Sequence, residues 1–202
     1  QSLPKPTLAP REDTPAQRET IGEGIRKHDL KQYDEAIKRY EQVLAENPDS
    51  TLAMYELAMS LETKGEKQKA LETALRGSKY NSSELPLFYM TIANIVDDLG
   101  KPDEAIRIYK DALSILNSEK GLGRHLASVH YNMGVTLVRQ KKYPEARATL
   151  KKAVENNFAY SSPHFLLALV YNGTKYKVPA FMAAARSLTL EMNTARTEPA
   201  AA

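Results

Sequence analysis

Residues 32–40 read Gln32-Tyr33-Asp34-Glu35-Ala36-Ile37-Lys38-Arg39-Tyr40, and Lys101-Pro102-Asp103-Glu104-Ala105-Ile106-Arg107-Ile108-Tyr109 repeats them almost letter for letter. Looser copies are Glu66-Lys67-Gln68-Lys69-Ala70-Leu71 and Lys142-Tyr143-Pro144-Glu145-Ala146. The equivalent alanines are separated by 34 residues (Ala36 to Ala70), 35 (Ala70 to Ala105), 41 (Ala105 to Ala146) and 34 (Ala146 to Ala180). A period of this size marks one supersecondary unit that cannot bury its apolar face alone and is stabilised by stacking on its neighbours.

Each unit pairs two helices. The first carries a small residue at its eighth position, Gly24, Ala58, Ala93, Gly134 or Ala168, which we expect to face the alanine of the second helix, Ala36, Ala70, Ala105, Ala146 or Ala180. Small residues at both points let antiparallel helices approach to about 8–10 Å. Gly65 and Gly100 stand in the turns, where a left-handed residue ends a helix at little cost. Tyr33 and Tyr143 precede second helices, Tyr40, Tyr109 and Leu150 are large plugs between units, and Pro48 closes the first unit because it cannot continue a helix.

This pattern resembles the tetratricopeptide repeat, a helix-turn-helix unit of 34 residues. The resemblance implies an all-α fold, a right-handed α-α superhelix of about ten antiparallel helices in five repeats. These span about 17–50, 51–84, 86–119 with an extension to 126, 127–160 and 161–193. Several positions depart from the family: Lys31, Lys141 and Lys175 replace the turn glycine, Ala74 and Ala184 replace the plug, and His130 and His164 sit where the family prefers Trp. Repeats two and five should therefore be less tightly filled. The 41-residue spacing adds about two helical turns, so the segment from Ser118 to His125 should lengthen two helices by a turn each, with Gly121 and Gly123 in the loop.

The flanks read differently. Residues 1–16 hold Pro4, Pro6, Pro10 and Pro15 without apolar periodicity, which predicts a disordered leader, and 194–202 a disordered tail. A start at Gln1-Ser2 running into prolines is what signal-peptidase cleavage leaves, although an artificial start reads the same way. The expectation is export from a bacterial cell, to the periplasm or beyond, over a cytoplasmic location. The absence of cysteine is compatible with either compartment. The 28 basic and 25 acidic residues leave a net charge of +3, too small to imply nucleic-acid or membrane-surface binding. No apolar run approaches the 18 residues of a membrane span.

Catalytic and cofactor chemistry have little support. His28, His125, His130 and His164 lack partners at the spacing that puts two metal ligands on one helical face, and packed or hydrogen-bonded imidazoles are the simpler reading. No glycine-rich phosphate loop follows a strand. The chain thus reads as a non-enzymatic adaptor with no cofactor.

In the family resembled, first helices line a concave groove, with contacts from repeat positions two, five, six, nine, twelve and thirteen. Positions five and nine here are Ile21 and Ile25, Tyr55 and Met59, Met90 and Asn94, Tyr131 and Val135, Phe165 and Leu169. Nine of these ten are apolar or aromatic, which predicts a groove for an apolar or amphipathic peptide. Burial against adjacent repeats is the competing account of such a stripe. Asn94 and Asn132 match the two asparagines of the family's carboxylate clamp, but Met90 and Ser162 stand where its lysines would be. The resemblance therefore implies that the amides bind peptide backbone and that charged C-terminal tails are not the preferred ligand.

Two further surfaces stand out. The basic residues Arg139, Lys141, Lys142, Lys151 and Lys152 could suggest a nucleic-acid-binding solenoid, but Asp97, Asp98, Glu35, Glu104 and Glu145 interrupt any continuous positive stripe. The final helix, Pro179 to Met192, is apolar nearly all round, so Phe181, Leu188 and Met192 form a candidate interface for a homo-oligomer or another subunit.

Overall fold

A computed structural model describes residues 3, 5–117, 121–172 and 182–191. Its helices are α1 (Pro15–Asp29), α2 (Tyr33–Glu46), α3 (Thr51–Lys64), α4 (Lys67–Gly77), α5 (Leu85–Asp98), α6 (Pro102–Leu116), α7 (Gly123–Arg139), α8 (Tyr143–Asn156) and α9 (Ser161–Asn172). A tenth, α10, is described over 182–191. The fold is all-α, as the repeat requires, and the only β feature among the described residues is one isolated bridge between Leu8 and Tyr80. None of the described helices is long and apolar enough to cross a membrane. The chain divides into two compact units, residues 1–112 and 113–202, at a point close to the 41-residue irregularity.

In unit 1 the helices pack in sequence and as first helices on one another, α1 on α3 and α3 on α5. Ala36, Ala70 and Ala105 have no exposed surface, and Tyr40 and Tyr109 are buried beside them as plugs. The core joins Ile21, Tyr40, Val43, Leu57, Leu61 and Ile95. One expectation needs correction: Gly24 is small to admit the plug. A Cβ at Gly24 would collide with the Tyr40 ring, and one at Gly134 in unit 2 would lie 2.6 Å from Leu150 Cδ2. The plugs follow Ala36 and Ala146 by one helical turn, so the first helix must be small where it meets them. Repeat two fills its core differently: α4 ends in Gly77, where the fully buried Phe88 ring packs, one turn from the missing plug at Ala74.

The turns keep the geometry of the repeat even without its glycine. Gly65 and Gly100 have φ of 94° and 79°, and Lys31 and Lys141 adopt the same left-handed conformation at 61° and 59°. A side chain there is strained, so the hairpin closure imposes the conformation against local preference. Lys175 lies outside the described residues.

The leader is ordered where it is described, contrary to expectation. Thr14 caps α1 through a capping box with Gln17, and Pro15 is a first-turn proline. Upstream, Thr7 and Leu8 donate backbone hydrogen bonds to Lys79 O at 2.9 and 3.0 Å, and Asn81 N donates to Leu8 O at 2.8 Å. Arg11 Nε donates to Asn47 Oδ1 at 2.8 Å, Asn47 Nδ2 to Asp13 Oδ1 at 2.8 Å, and Ser50 Oγ to Asp13 Oδ2 at 2.9 Å. The segment is a strap across the α2–α3 and α4–α5 turns. Its polar groups satisfy those of the turns.

In unit 2, α7 packs on α8 and α9, and α8 on α9. α7 has 17 residues against 14 in α3 and α5, so the added length does extend a first helix, but α6, at 15 residues against 14 in α2 and α8, gains one residue and not the expected turn. Gly121 is left-handed in the preceding loop, at φ 85°. Gly123 is instead the first residue of α7, where an added Cβ would sit 3.1 Å from Asn156 O.

Candidate functional face of the first helices

Burial along α3 divides the helix in two. Leu52, Tyr55, Glu56, Met59 and Glu62 are half-buried, whereas Ala53, Met54, Leu57, Ala58, Ser60 and Leu61 are buried. At 100° per residue the half-buried set falls within one arc of about 120°. Leu87, Met90 and Asn94 form the corresponding stripe on α5, ending in exposed Asp98. In unit 2 the stripes are Ser128, Tyr131, Asn132 and Val135 on α7, and Ser162, Phe165, Leu166 and Leu169 on α9. Each residue singled out on α3, α5, α7 and α9 therefore lies on its helix's more open side. Ile25 is half-buried on α1 and packs on the core. Ile21 does not belong to the open set: at 1% exposure it is core, because it points into the α1–α2 hairpin beside Tyr40.

Within unit 1 the stripes of α3 and α5 adjoin. The Tyr55 ring meets Phe88 edge-on, with centroids 6.0 Å apart, and Thr91 Oγ1 lies 3.9 Å from Met59 Sδ. Tyr109 donates a 2.5 Å hydrogen bond to Asn94 Oδ1, so a buried plug sets how that amide is presented. The side chain is held by its own repeat, which neither the spacing nor the clamp resemblance indicates.

The electrostatics of this face are one-sided. Burial raises the Glu56 carboxyl pKa above its ordinary value, and the charge of Asp29 raises it further. Burial likewise raises Glu62, with Asp98 adding to the effect and Lys67 opposing it. Tyr55 is raised by burial and then by Glu56 and Glu62. Asp29, Glu62 and Asp98 occupy the twelfth and thirteenth repeat positions. Reading those two positions, as well as the fifth, sixth and ninth, would have exposed the acidic character from sequence.

Unit 2 presents a more apolar face. Phe165 and Leu169, one turn apart on α9, are 54% and 52% exposed, and Tyr131 meets Tyr160 edge-on at 5.3 Å. Phe158, which sequence reasoning passed over, is exposed in the α8–α9 turn, with the His164 ring at 5.4 Å and Arg186 4.3 Å above its face. His164 Nε2 lies 3.1 Å from Phe158 O, a packed and hydrogen-bonded imidazole. His130 is buried, and burial, with a smaller contribution from Lys152, pulls its pKa down to about 4. Among the described residues no group of three His, Asp or Glu side chains could hold a metal ion. Of the C-terminal interface residues, Leu188 is described and exposed, as is Met182, whereas Phe181 and Met192 lie outside the described residues.

Comparison with known proteins agrees with this architecture. The solved structure of TTC0263, a thermophilic TPR protein in Thermus thermophilus, has a TM-score of 0.66 at 21% identity, over 89% of this chain and 97% of that one. A MamA crystal structure gives 0.65 at 17% identity, over 86% of this chain and 96% of that one. YrrB, described as a TPR protein with an unusual peptide-binding site, gives 0.55 at 11% identity, over 86% of each chain. No curated protein sequence matches. Tetratricopeptide-repeat family models match residues 23–84 and 86–157, leaving only residue 85 between them. With its buried alanines, left-handed turns and plugs in register, the chain belongs to the tetratricopeptide repeat family.

Proposed function

We propose that this protein is a non-enzymatic scaffold that docks an apolar or amphipathic segment of a protein partner on the open stripes of its first helices. The observation supporting this reading is the burial pattern of α3 and α5: Tyr55, Met59, Leu87 and Met90 are half-buried on adjoining helices whose opposite sides form the core. Large apolar side chains left at a helix surface stabilise the fold less than they could, and a partner that covers them recovers about 1.5–3 kcal/mol for each side chain it fully buries. Tyr and Met suit such a surface because their contacts adapt to the ligand. YrrB, with its described peptide-binding site, is a precedent for peptide docking on this fold.

The test is selection of a displayed random peptide library on the immobilised protein. Enriched peptides should bind with weak salt dependence and lose binding to the Tyr55→Ala/Met59→Ala variant, assayed at a temperature where its circular dichroism matches that of the folded wild type. Enriched peptides indifferent to that variant would refute the reading. A steep salt dependence of binding to RNA, with no peptide bound, would favour a nucleic-acid partner instead.

A second reading rests on α10, where Met182 and Leu188 are 65% and 61% exposed. Such a face could serve assembly, and Leu188→Lys should then shift the sedimentation of the protein towards monomer. A wild-type protein that is monomeric at all concentrations would end that reading.

A further inference from the structure

The half-buried stripe of α3 is apolar at Tyr55 and Met59 but acidic at Glu56, between them in sequence and on the same arc. The end of α1 packs on α3, where His28 Nδ1 lies 2.7 Å from Ser60 Oγ, one turn along from Glu56, and the negative charge of Asp29, next to His28, acts on the Glu56 carboxyl. Neither residue makes an ion pair within 4.0 Å among the described residues.

The cations nearby are directed elsewhere. Lys27 of α1 pairs with Glu35 at 2.7 Å, and Lys64, the one basic residue of α3, pairs with Asp34 at 2.7 Å and Glu66 at 2.5 Å. All three of these carboxylates belong to the second helices or their start. Helix α5 has no basic residue at all, and Lys67 of α4 reaches Asp98 at 3.4 Å. Arg26 shares the open side of α1 but is exposed, its guanidinium lying over Gly22, and it pairs with neither Asp29 nor Glu56. The result is a half-buried carboxylate, Glu56, with a second, exposed carboxylate, Asp29, acting on it, set against an apolar stripe.

Resting on the groove reading above, we infer that unit 1 docks a basic amphipathic segment of a partner protein. Its aliphatic or aromatic side chains cover Tyr55, Met59 and Met90, and a Lys or Arg head group sits between Glu56 and Asp29. Charge complementarity selects this occupant. An apolar peptide would leave Glu56 more deeply buried beside Asp29 and still uncompensated, a costly arrangement. An acidic tail would add a third negative charge. A cation flanked by apolar residues compensates both carboxylates, and the long stem of Lys or Arg can itself lie along Tyr55 and Met59. The specificity is opposite in sign to that of a carboxylate clamp.

The test uses the full chain and the same displayed random library. Enriched peptides should combine apolar residues with an excess of Lys and Arg, and selection on Glu56→Gln/Asp29→Asn should lose the basic excess. A synthetic enriched peptide should bind that variant about tenfold more weakly, and replacing its Lys by Gln should cost about the same on wild type but nothing further on the variant. The unfolding midpoint of the variant should hold or rise, because a like-charge pair is removed.

Enrichment without basic residues, in peptides still sensitive to Tyr55→Ala, overturns the charge inference and leaves the groove reading intact. A basic excess that survives Glu56→Gln/Asp29→Asn also overturns it. Peptides insensitive to Tyr55→Ala, or a library from which nothing enriches, overturn both, as does self-association of the protein through this face.

Discussion

Replacing Gly24 by alanine tests the account of the hairpin most directly. In an exposed helix interior Gly→Ala stabilises by about 1 kcal/mol, through helix propensity. Gly24 is buried in α1, and the new Cβ would press on the ring of Tyr40, which has no exposed surface and no room to turn. Overpacking of this kind costs about 1–3 kcal/mol and the propensity gain offsets about 1 of it, so Gly24→Ala should destabilise unit 1 by up to about 2 kcal/mol net. In a Tyr40→Ala background, itself destabilised by about 3–5 kcal/mol, the clash is gone. There Gly24→Ala should stabilise by up to about 1 kcal/mol, so its sign reverses. Gly134→Ala should cost less than Gly24→Ala, because the atoms it meets are the flexible end of Leu150, not a rigid ring. Urea denaturation followed by circular dichroism, comparing midpoints at constant slope, measures all four quantities. A Gly24→Ala variant that stabilises the wild-type protein, or an effect of equal sign in both backgrounds, would refute the proposed packing.

Three further outcomes follow from the fold. Lys31→Gly and Lys141→Gly should each raise stability by about 0.5–1 kcal/mol by relieving the left-handed strain, whereas Lys31→Ala should be neutral; thermal melts separate these outcomes. Asn47→Ala should destabilise unit 1 by about 2–3 kcal/mol, since its buried side chain links the strap to the α2–α3 turn and its removal takes one hydrogen bond each from Arg11 Nε and Asp13 Oδ1; urea midpoints report the loss. His130 has a folded pKa of about 4, below its unfolded value near 6.5, so the unfolded chain binds the extra proton first as pH falls. Stability should therefore drop by about 2 kcal/mol between pH 7 and pH 5, level off below pH 4, and become less pH-dependent in His130→Leu; denaturation across that pH range measures the slope.

Different parts of the molecule were legible in the sequence to different degrees. The second helices were legible because their pattern recurs: Ala36, Ala70, Ala105 and Ala146 lie buried as their spacing requires. The left-handed turns were legible at Gly65 and Gly100, and by register at Lys31 and Lys141, although lysine has no local preference for that conformation. The strap was not legible. Proline-rich composition describes what the segment cannot do alone, and its order comes from Asn47, Ser50, Lys79 and Asn81, far along the chain. Thr14-Pro15-Ala16-Gln17 does carry a capping box that marks where α1 begins.

The candidate face divides along the same line. The repeat positions that the family resemblance assigns to the groove include Tyr55, Met59, Met90, Tyr131, Phe165 and Leu169, and a fixed 3.6 residues per turn keeps such positions on one side of each helix, here the less buried one. That Ile21 belongs to the core, that Tyr109 holds Asn94, and that half-buried Glu56 feels the charge of Asp29 with no ion-pair partner among the described residues depend on neighbours from other helices, which spacing within one helix does not encode. Sequence by itself determined the unit and its period, and through the family resemblance it indicated the more open side of α3, α5, α7 and α9. Tertiary structure decided which of those side chains are committed to a neighbour and what charge the remaining surface presents, because burial and electrostatic pairing are set by residues distant in the chain.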